Sequence, residues 1–153
     1  MSINVRIKLI GDGAVAPSRA TNGSAGYDLC ARIPSEDGLL EIPPGEVRKI
    51  PVGIAVELPL DMAGMVYPRS GLSSRERISL ANGVGVIDSD FRGEIEVPLQ
   101  NLSDRVYTVQ HGMRVAQLVF TPIVTPALSI VPKGEDLSDT SRGVAGYGST
   151  GGF

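Results

Sequence analysis

The residues best suited to chemistry are the acidic and hydroxyl side chains crowded into residues 82–93. Asp88, Ser89 and Asp90 follow an apolar stretch at 84–87, and Gly93 shortly precedes a second apolar stretch at 95–99. This pattern predicts two strands joined by a tight polar hairpin bend. Aspartate and glycine are common turn residues, so the stretch considered alone favours an ordinary surface hairpin.

Carboxylates, arginines and backbone groups must carry any chemistry, because other reactive side chains are scarce. The chain has one histidine, His111, and one cysteine, Cys30. That inventory excludes the usual zinc ligand sets and argues against a Cys–His catalytic pair. A lone cysteine forms no internal disulfide, which is typical of a cytoplasmic protein. The net charge of −3 and the absence of tryptophan argue against a nucleic-acid partner, although a few arginines could hold a small anion.

Two polar segments carry groups that bind phosphate. Residues 67–73 (YPRSGLS) end a strand and open a helical turn, where backbone N–H groups, hydroxyls and the guanidinium of Arg69 suit phosphate oxygens. Considered alone, this segment is more typical of a helix cap with a solvated arginine. Residues 143–150 have the glycine spacing of a P-loop but lack its lysine and a following helix. Their glycines and single aromatic ring remain compatible with a nucleotide.

Two polar side chains interrupt strands that are otherwise apolar. Asp28 lies within YDLC, and Gln117 lies within RVAQLVF. A buried carboxylate in a strand is often the structural partner of an arginine. For Asp28 that interpretation and a role in a site are equally supported, and Gln117 raises the same question.

Period-two alternation predicts that the chain is built from short strands. Val5, Ile7 and Leu9 alternate with charged residues, which indicates a half-buried strand, and residues 50–58 give the longest alternating run. Further strands are predicted at 24–32, 64–67, 106–109 and 113–120. Only residues 71–78 suit a helix, of one or two turns. With eleven prolines and nineteen glycines between strands, the 153 residues predict one all-β domain, a sandwich or jelly-roll-like barrel.

The character of the chain changes after Pro132. Residues 133–142 are polar, and residues 142–152 include five glycines. Such a segment cannot bury enough apolar surface to order itself, and a frayed terminus is the default expectation. Yet it carries Arg142, Tyr147 and Ser149, which an inert linker would not need. No stretch of the chain is long and apolar enough to span a bilayer, and none resembles a targeting segment.

Five segments, taken in order, resemble the motifs of the trimeric deoxyuridine triphosphatases (dUTPases). They are AGYDLCA at 25–31, PRSGLS at 68–73, NGVGVIDSDFRGEI at 82–95, GMRVAQLVF at 112–120 and RGVAGYGSTG at 142–151. The resemblance implies a jelly-roll-like distorted β-barrel over residues 1–132, assembled as a homotrimer with active sites between subunits. Residues 133–153 would form a flexible glycine-rich arm that closes over an active site of the trimer. The implied reaction is Mg²⁺-dependent hydrolysis of dUTP to dUMP and pyrophosphate, which keeps uracil out of DNA and supplies dUMP for thymidylate synthesis.

The resemblance also assigns roles around the bend. Asp88 matches the general base that activates the water attacking the α-phosphorus. Phe91 stands where the family more often has tyrosine, with its ring against the deoxyribose. The remaining implied contacts to base and sugar are backbone groups near Asn82 and Glu96, with Val86 and Ile87 framing the sugar.

A second set of implied roles concerns the triphosphate and the tail. Arg142 would hold the γ-phosphate, while Tyr147 would stack on uracil where relatives usually have phenylalanine. Asp28 would act through waters on Mg²⁺ or on Arg142, and no protein side chain would bind the metal directly. The other implied contacts are Arg69, Ser70, Gly71 and Gln117 on the phosphates, and Gly146, Gly148 and Ser149 in the arm.

Two other functions fit parts of the pattern. The related deoxycytidine triphosphate deaminases share the fold, but they lack the complete glycine-rich fifth motif and use a different acidic residue. A nucleotide-sensing β domain without turnover would need no complete catalytic set, whereas this chain has one. Release of ammonia would indicate the first, and nucleotide binding without pyrophosphate release the second.

Overall fold

The computed structural model describes residues 3–146, and within them the chain is built almost entirely from strands. The elements are β1 (Arg6–Leu9), β2 (Tyr27–Cys30), β3 (Leu39–Ile42), β4 (Val47–Pro51), β5 (Ile54–Glu57), β6 (Met62–Pro68), a helical turn (Leu72–Glu76), β7 (Ile78–Leu80), β8 (Gly85–Ile87), β9 (Glu96–Asn101), β10 (Tyr107–Gln110) and β11 (Arg114–Pro122). The predicted all-β class and the single short helical turn are confirmed.

The strands pair antiparallel in four small sheets. β2, β11, β6 and β8 lie side by side in the largest, β4, β9 and β7 form a second, and the pairs β1–β5 and β10–β3 form the others. Their inward faces enclose one apolar core whose most deeply buried side chains include Ile42, Ile54, Val97 and Leu118. Apolar burial of this extent is the main stabilising contribution to such a fold.

The longest alternating run is two strands rather than one. β4 ends at Pro51 and pairs with β9, whereas β5 begins at Ile54 and pairs with β1. Gly53 lies between them with φ +68, a backbone conformation that glycine adopts without steric cost. The period-two pattern continues through this corner because the side chains on both sides of it point into the same core.

The predicted hairpin of residues 84–87 and 95–99 is wrong in its pairing. β8 pairs with β6, and β9 pairs with β4 and β7, so the two strands belong to different sheets. The loop between them passes from one sheet to the other. Turn-forming residues predict that the chain bends, but they do not decide which strand each arm pairs with.

The first strand is less buried than its alternation predicts. β1 forms the expected strand, yet Ile7 and Leu9 remain exposed, with Leu9 at 49% of its full exposure. Alternation therefore predicted the extended backbone correctly and the burial incorrectly. Within residues 3–146, no helix has the length and apolar character required to cross a membrane.

Arg77 ends the helical turn in a left-handed conformation, with φ 56 and ψ 33, and its backbone N–H donates to the Leu72 carbonyl. A side chain in this region costs about 1 kcal/mol or more, and glycine is the usual residue at such a helix end. We expect Arg77→Gly to raise the free energy of unfolding by about 1 kcal/mol, measured by urea or thermal denaturation. Arg77→Ala is the control, because it removes the charge but keeps the Cβ. Equal stabilisation by both variants would contradict the backbone explanation.

Candidate functional site

Five of the predicted phosphate-site residues line one cavity of ≈ 700 Å³ at the edge of the largest sheet. The register explains this: Gln117 of β11 lies opposite Asp28 of β2 on one side and Tyr67 of β6 on the other. β6 ends at Pro68, so the residues that follow it enter the same space. The five residues are Asp28, Arg69, Ser70, Gly71 and Gln117.

Asp28 connects two arginines at the wall of this cavity. Its Oδ1 lies 3.2 Å from Arg69 Nε, and its Oδ2 accepts a hydrogen bond of 3.3 Å from Arg114 Nη1. Arg69 Nη1 donates in turn to the Arg114 carbonyl at 3.1 Å. The two interpretations of Asp28 therefore coincide, since the carboxylate is the partner of arginines that themselves face the cavity. Its role toward substrate stays a prediction.

Gln117 is oriented by its neighbours. Its Nε2 donates to the Pro68 carbonyl at 3.0 Å, at the end of β6. A Cβ at residue 26 would lie 2.5 Å from Gln117 Oε1, so Gly26 leaves the space that the amide occupies. The side chain is thus held between β2 and β6 at the cavity wall.

Sequence reasoning missed Arg114 and Arg75, which line the same cavity. In a regular strand Arg114 and Gln117 would face opposite sides, because they are three residues apart. The register of β11 against β2 shifts between Arg114 and Ala116, an irregularity that places both side chains on the cavity. A charged residue in an apolar strand was the available signal for Arg114.

The cavity is suited to a polyanion. Three arginines line it against two carboxylates, Asp28 and Glu76. Glu76 is also paired with Arg105, whose Nη2 donates to Glu76 Oε2 at 2.8 Å. Guanidinium groups that converge on a polar cavity are typical of phosphate recognition.

Two titratable groups beside the cavity stay protonated at neutral pH. Burial raises the pKa of the Cys30 thiol, the Asp28 charge raises it further, and Arg114 and Arg69 act in the opposite direction. Burial also raises the pKa of the Tyr107 hydroxyl, with a further contribution from Glu76. Neither group is therefore positioned to act as a base at neutral pH.

A second cavity of ≈ 280 Å³ opens between β8 and β9. Because these strands belong to different sheets, they leave a cleft where a hairpin would have closed. The ring of Phe91 folds over Gly93, where a Cβ would lie 2.6 Å from Phe91 Cζ. The predicted base and sugar contacts that line this cavity are Asn82, Val86, Ile87, Phe91 and Glu96, and Lys49 and Glu94 line it as well.

Asp88 lies in the loop immediately after β8, is exposed, and lines neither of these two cavities. A backbone hydrogen bond closes the turn of this loop, because Phe91 N donates to the Asp88 carbonyl at 3.2 Å. Arg92 Nη1 donates to the Ser89 carbonyl at 2.7 Å and to the Phe91 carbonyl at 3.0 Å. The carboxylate is thus presented on an ordered loop.

The two cavities share no lining residue, and the tail lies apart from both among the described residues. After β11 the chain is exposed throughout residues 123–146, which include Arg142 and Gly146. Tyr147, Gly148 and Ser149 lie outside the described residues. The chain therefore carries two groups of predicted site residues that line different cavities.

Comparison with known proteins accounts for this combination of features. The family model described as dUTPase matches residues 12–151. The chain belongs to the dUTPase family. It is 46% identical over 136 residues to a deoxyuridine 5'-triphosphate nucleotidohydrolase of Desulfitobacterium hafniense, covering 88% of this chain and 86% of the relative. It is 41% identical over 152 residues to the enzyme of the same name from Maricaulis maris, covering 98% and 97%.

Solved dUTPase structures share the fold. The dUTPase of Staphylococcus bacteriophage 80alpha with dUPNHPP superposes with a TM-score of 0.84 at 27% sequence identity, covering 97% of this chain and 98% of that one. The predicted dUTPase resemblance and the jelly-roll-like all-β class are thereby confirmed. The residue roles inside the dUTPase site remain predictions.

Proposed function

We propose that Asp88 is the general base with which this dUTPase hydrolyses dUTP to dUMP and pyrophosphate, and that neighbouring protomers complete the site. The observation that carries the proposal is the arginine-lined cavity built on Asp28, Arg69 and Gln117, in a chain that belongs to the dUTPase family. The chain also provides a second cleft, of ≈ 280 Å³, which we assign to the base and sugar.

The triphosphate would occupy the larger cavity. Arg69 supplies a charged donor already oriented by Asp28, and Gln117 supplies a neutral one. Charge-assisted hydrogen bonds of this kind are roughly twice as strong as neutral ones. Ser70 and Gly71 line the same wall, and the missed residues Arg75 and Arg114 add positive charge.

Uracil and deoxyribose would occupy the cleft between β8 and β9. Backbone groups near Asn82 and Glu96 pair with the polar edge of uracil, and cytosine would leave those groups unpaired. Mispairing of this kind is worth ~10⁴–10⁵ in discrimination. The Phe91 ring lies against the sugar where a 2′-hydroxyl would project, and Val86 and Ile87 frame the sugar. We propose that the cleft also excludes the methyl group of thymine.

Separation of the two cavities supports a homotrimer with sites between protomers. One chain would contribute the uracil cleft and Asp88, and a neighbour the arginine-lined cavity. We propose that residues 1–132 form the barrel and residues 133–153 an arm that reaches a neighbour's site. There Arg142 binds the γ-phosphate and Tyr147 stacks on uracil. With the arm closed, Gly146, Gly148 and Ser149 would contact the substrate.

Asp88 accepts a proton from the water that attacks the α-phosphorus. The new oxygen–phosphorus bond forms as the bond to the oxygen bridging the α- and β-phosphates breaks, and pyrophosphate leaves. Among residues 3–146, no cluster of three or more His, Cys, Asp or Glu side chains is arranged to hold a metal ion. Both oxygens of the Asp28 carboxylate are already paired with guanidinium groups. These residues therefore fit a Mg²⁺ that would be held by triphosphate oxygens and waters rather than by a side chain. Mg²⁺ bound there would neutralise charge that develops on the phosphates.

The test is turnover of dUTP, UTP, dCTP and dTTP with Mg²⁺ and after its removal by EDTA. We expect pyrophosphate release from dUTP alone, dependent on Mg²⁺, with uracil intact. Ammonia release from dCTP would instead indicate a deaminase, and dUTP binding without turnover a sensor. For the cellular setting we propose the cytoplasm, in keeping with the single cysteine. No nucleic acid or membrane is part of the proposal.

A further inference from the structure

A network of three residues lies at the base of the loop that carries Asp88 and Phe91. Arg32 and Glu94 form two parallel contacts, Nε to Oε1 at 3.3 Å and Nη2 to Oε2 at 3.4 Å. The backbone N–H of Gly53 donates to Glu94 Oε1 at 2.9 Å. The two side chains are only 19% and 24% exposed. We call these residues the Arg32–Glu94–Gly53 network.

The network joins three parts of the chain that are distant in sequence. Arg32 follows β2, Gly53 forms the corner between β4 and β5, and Glu94 precedes β9. A Cβ on Gly53 would lie 2.8 Å from Arg32 Cδ, so the arginine packs directly against the corner. Next to Glu94, Ile95 exchanges backbone hydrogen bonds with Val52 and Ile54, at 3.2 and 2.9 Å. Glu94 is therefore held at a fixed point of the barrel.

Glu94 also forms part of the uracil cleft. It lines that cavity together with Phe91, and only Arg92 and Gly93 separate the two in sequence. The Phe91 ring rests on Gly93, the residue next to Glu94. At its other end the loop leaves β8, where Ile87 pairs with Gly64 of β6. Displacing Glu94 would thus move the ring while leaving the β8 end of the loop in place.

We propose that Arg32 and Glu94 are positioning residues that fix the Phe91 ring and thereby set discrimination between dUTP and UTP. This inference rests on the proposed function of the β8–β9 cleft. Partly buried, hydrogen-bonded ion pairs act as coupled units, unlike exposed pairs, which contribute little. A ring held less firmly would contact the deoxyribose less well and exclude a 2′-hydroxyl less strictly.

The test compares kcat/KM for dUTP and UTP in Glu94→Gln and Arg32→Lys. Glutamine keeps an acceptor for the Gly53 N–H but loses the ionic contact with Arg32. We expect the dUTP/UTP ratio to fall about tenfold, within the range of coupling for residues in one network. The change should lie mainly in KM, because Asp88 is unaltered. The double variant should lose little more than either single one.

Glu46→Gln is the matched control, because Glu46 pairs with Arg48 at 2.9 Å on the surface and lines neither cavity. We expect its dUTP/UTP ratio to equal that of the unmodified protein. Phe91→Ala tests the assigned role of Phe91 separately from the positioning role of Arg32 and Glu94. If it leaves the ratio unchanged, the assigned role of Phe91 is wrong. If it lowers the ratio while Glu94→Gln and Arg32→Lys change only thermal stability, the positioning role is overturned and the cleft assignment stands.

Discussion

Asp88→Asn is expected to lower kcat for dUTP hydrolysis by about 10²–10⁴-fold, the usual contribution of a positioned general base. Asparagine has nearly the same shape as aspartate but cannot accept the proton of the attacking water. Asp88 is exposed on a loop whose turn is closed by backbone groups, so the substitution removes no internal support that the structure shows. Binding of a non-hydrolysable dUTP analogue should stay within about threefold, because the change acts on the transition state. Single-turnover kinetics and calorimetric titration measure the two quantities.

Asp90→Asn is the control for this experiment. Asp90 is a second exposed carboxylate in the same loop, two residues further on, so it tests the loss of one negative charge without the loss of the base. Its kcat should stay within about threefold of the unmodified value. Equal losses of kcat in both variants would show that the charge of the loop matters rather than proton transfer. Asp88 would then not be the general base.

Asn101→Leu is expected to lower the free energy of unfolding by about 3 kcal/mol, because it leaves buried backbone groups without partners. Asn101 is fully buried at the end of β9. Its Nδ2 donates to the carbonyls of Ile42 and Arg105, at 2.8 and 2.7 Å. Its Oδ1 accepts from the N–H and hydroxyl of Ser103, at 2.9 and 2.7 Å. Leucine has a similar volume but satisfies none of these groups.

Urea denaturation at equilibrium measures this loss, with Asn22→Leu as the control at an exposed position. The control should change stability by about 0.5 kcal/mol or less. Asn101→Asp gives a second comparison. Aspartate keeps an acceptor for Ser103 but has no donor for the carbonyls of Ile42 and Arg105. If Asn101→Leu is as stable as Asn22→Leu, the hydrogen bonds of Asn101 add no net stability to the fold.

The fold class was predictable because its signals are local. Alternation marked the strands, and prolines and glycines marked their ends. Strand pairing was not local: residues 84–99 have the composition of a hairpin, yet β8 pairs with β6 and β9 pairs with β4. The same limit applies to Leu9, whose alternation with charged residues predicted burial that the structure does not show.

The site was predictable where a polar residue interrupted an apolar strand. Asp28 and Gln117 were found in that way, and the register places them opposite each other. Arg114 was missed because the irregularity in β11 changes which residues face the cavity, and a strict period of two cannot reveal it. Asn101 gave no such signal, although Ser103 and Arg105 are close to it in sequence and only Ile42 is distant.

The separation of the two cavities has a consequence for inheritance. In the proposed trimer each chain contributes one half to each of two different sites, so damage to one half leaves the other usable by a neighbour. Two copies of the gene that are each inactive, one altered at Asp88 and the other at Arg69, would form mixed assemblies in which some sites combine two intact halves. Two defective alleles would then complement each other and restore dUTP hydrolysis, although neither gives an active enzyme alone.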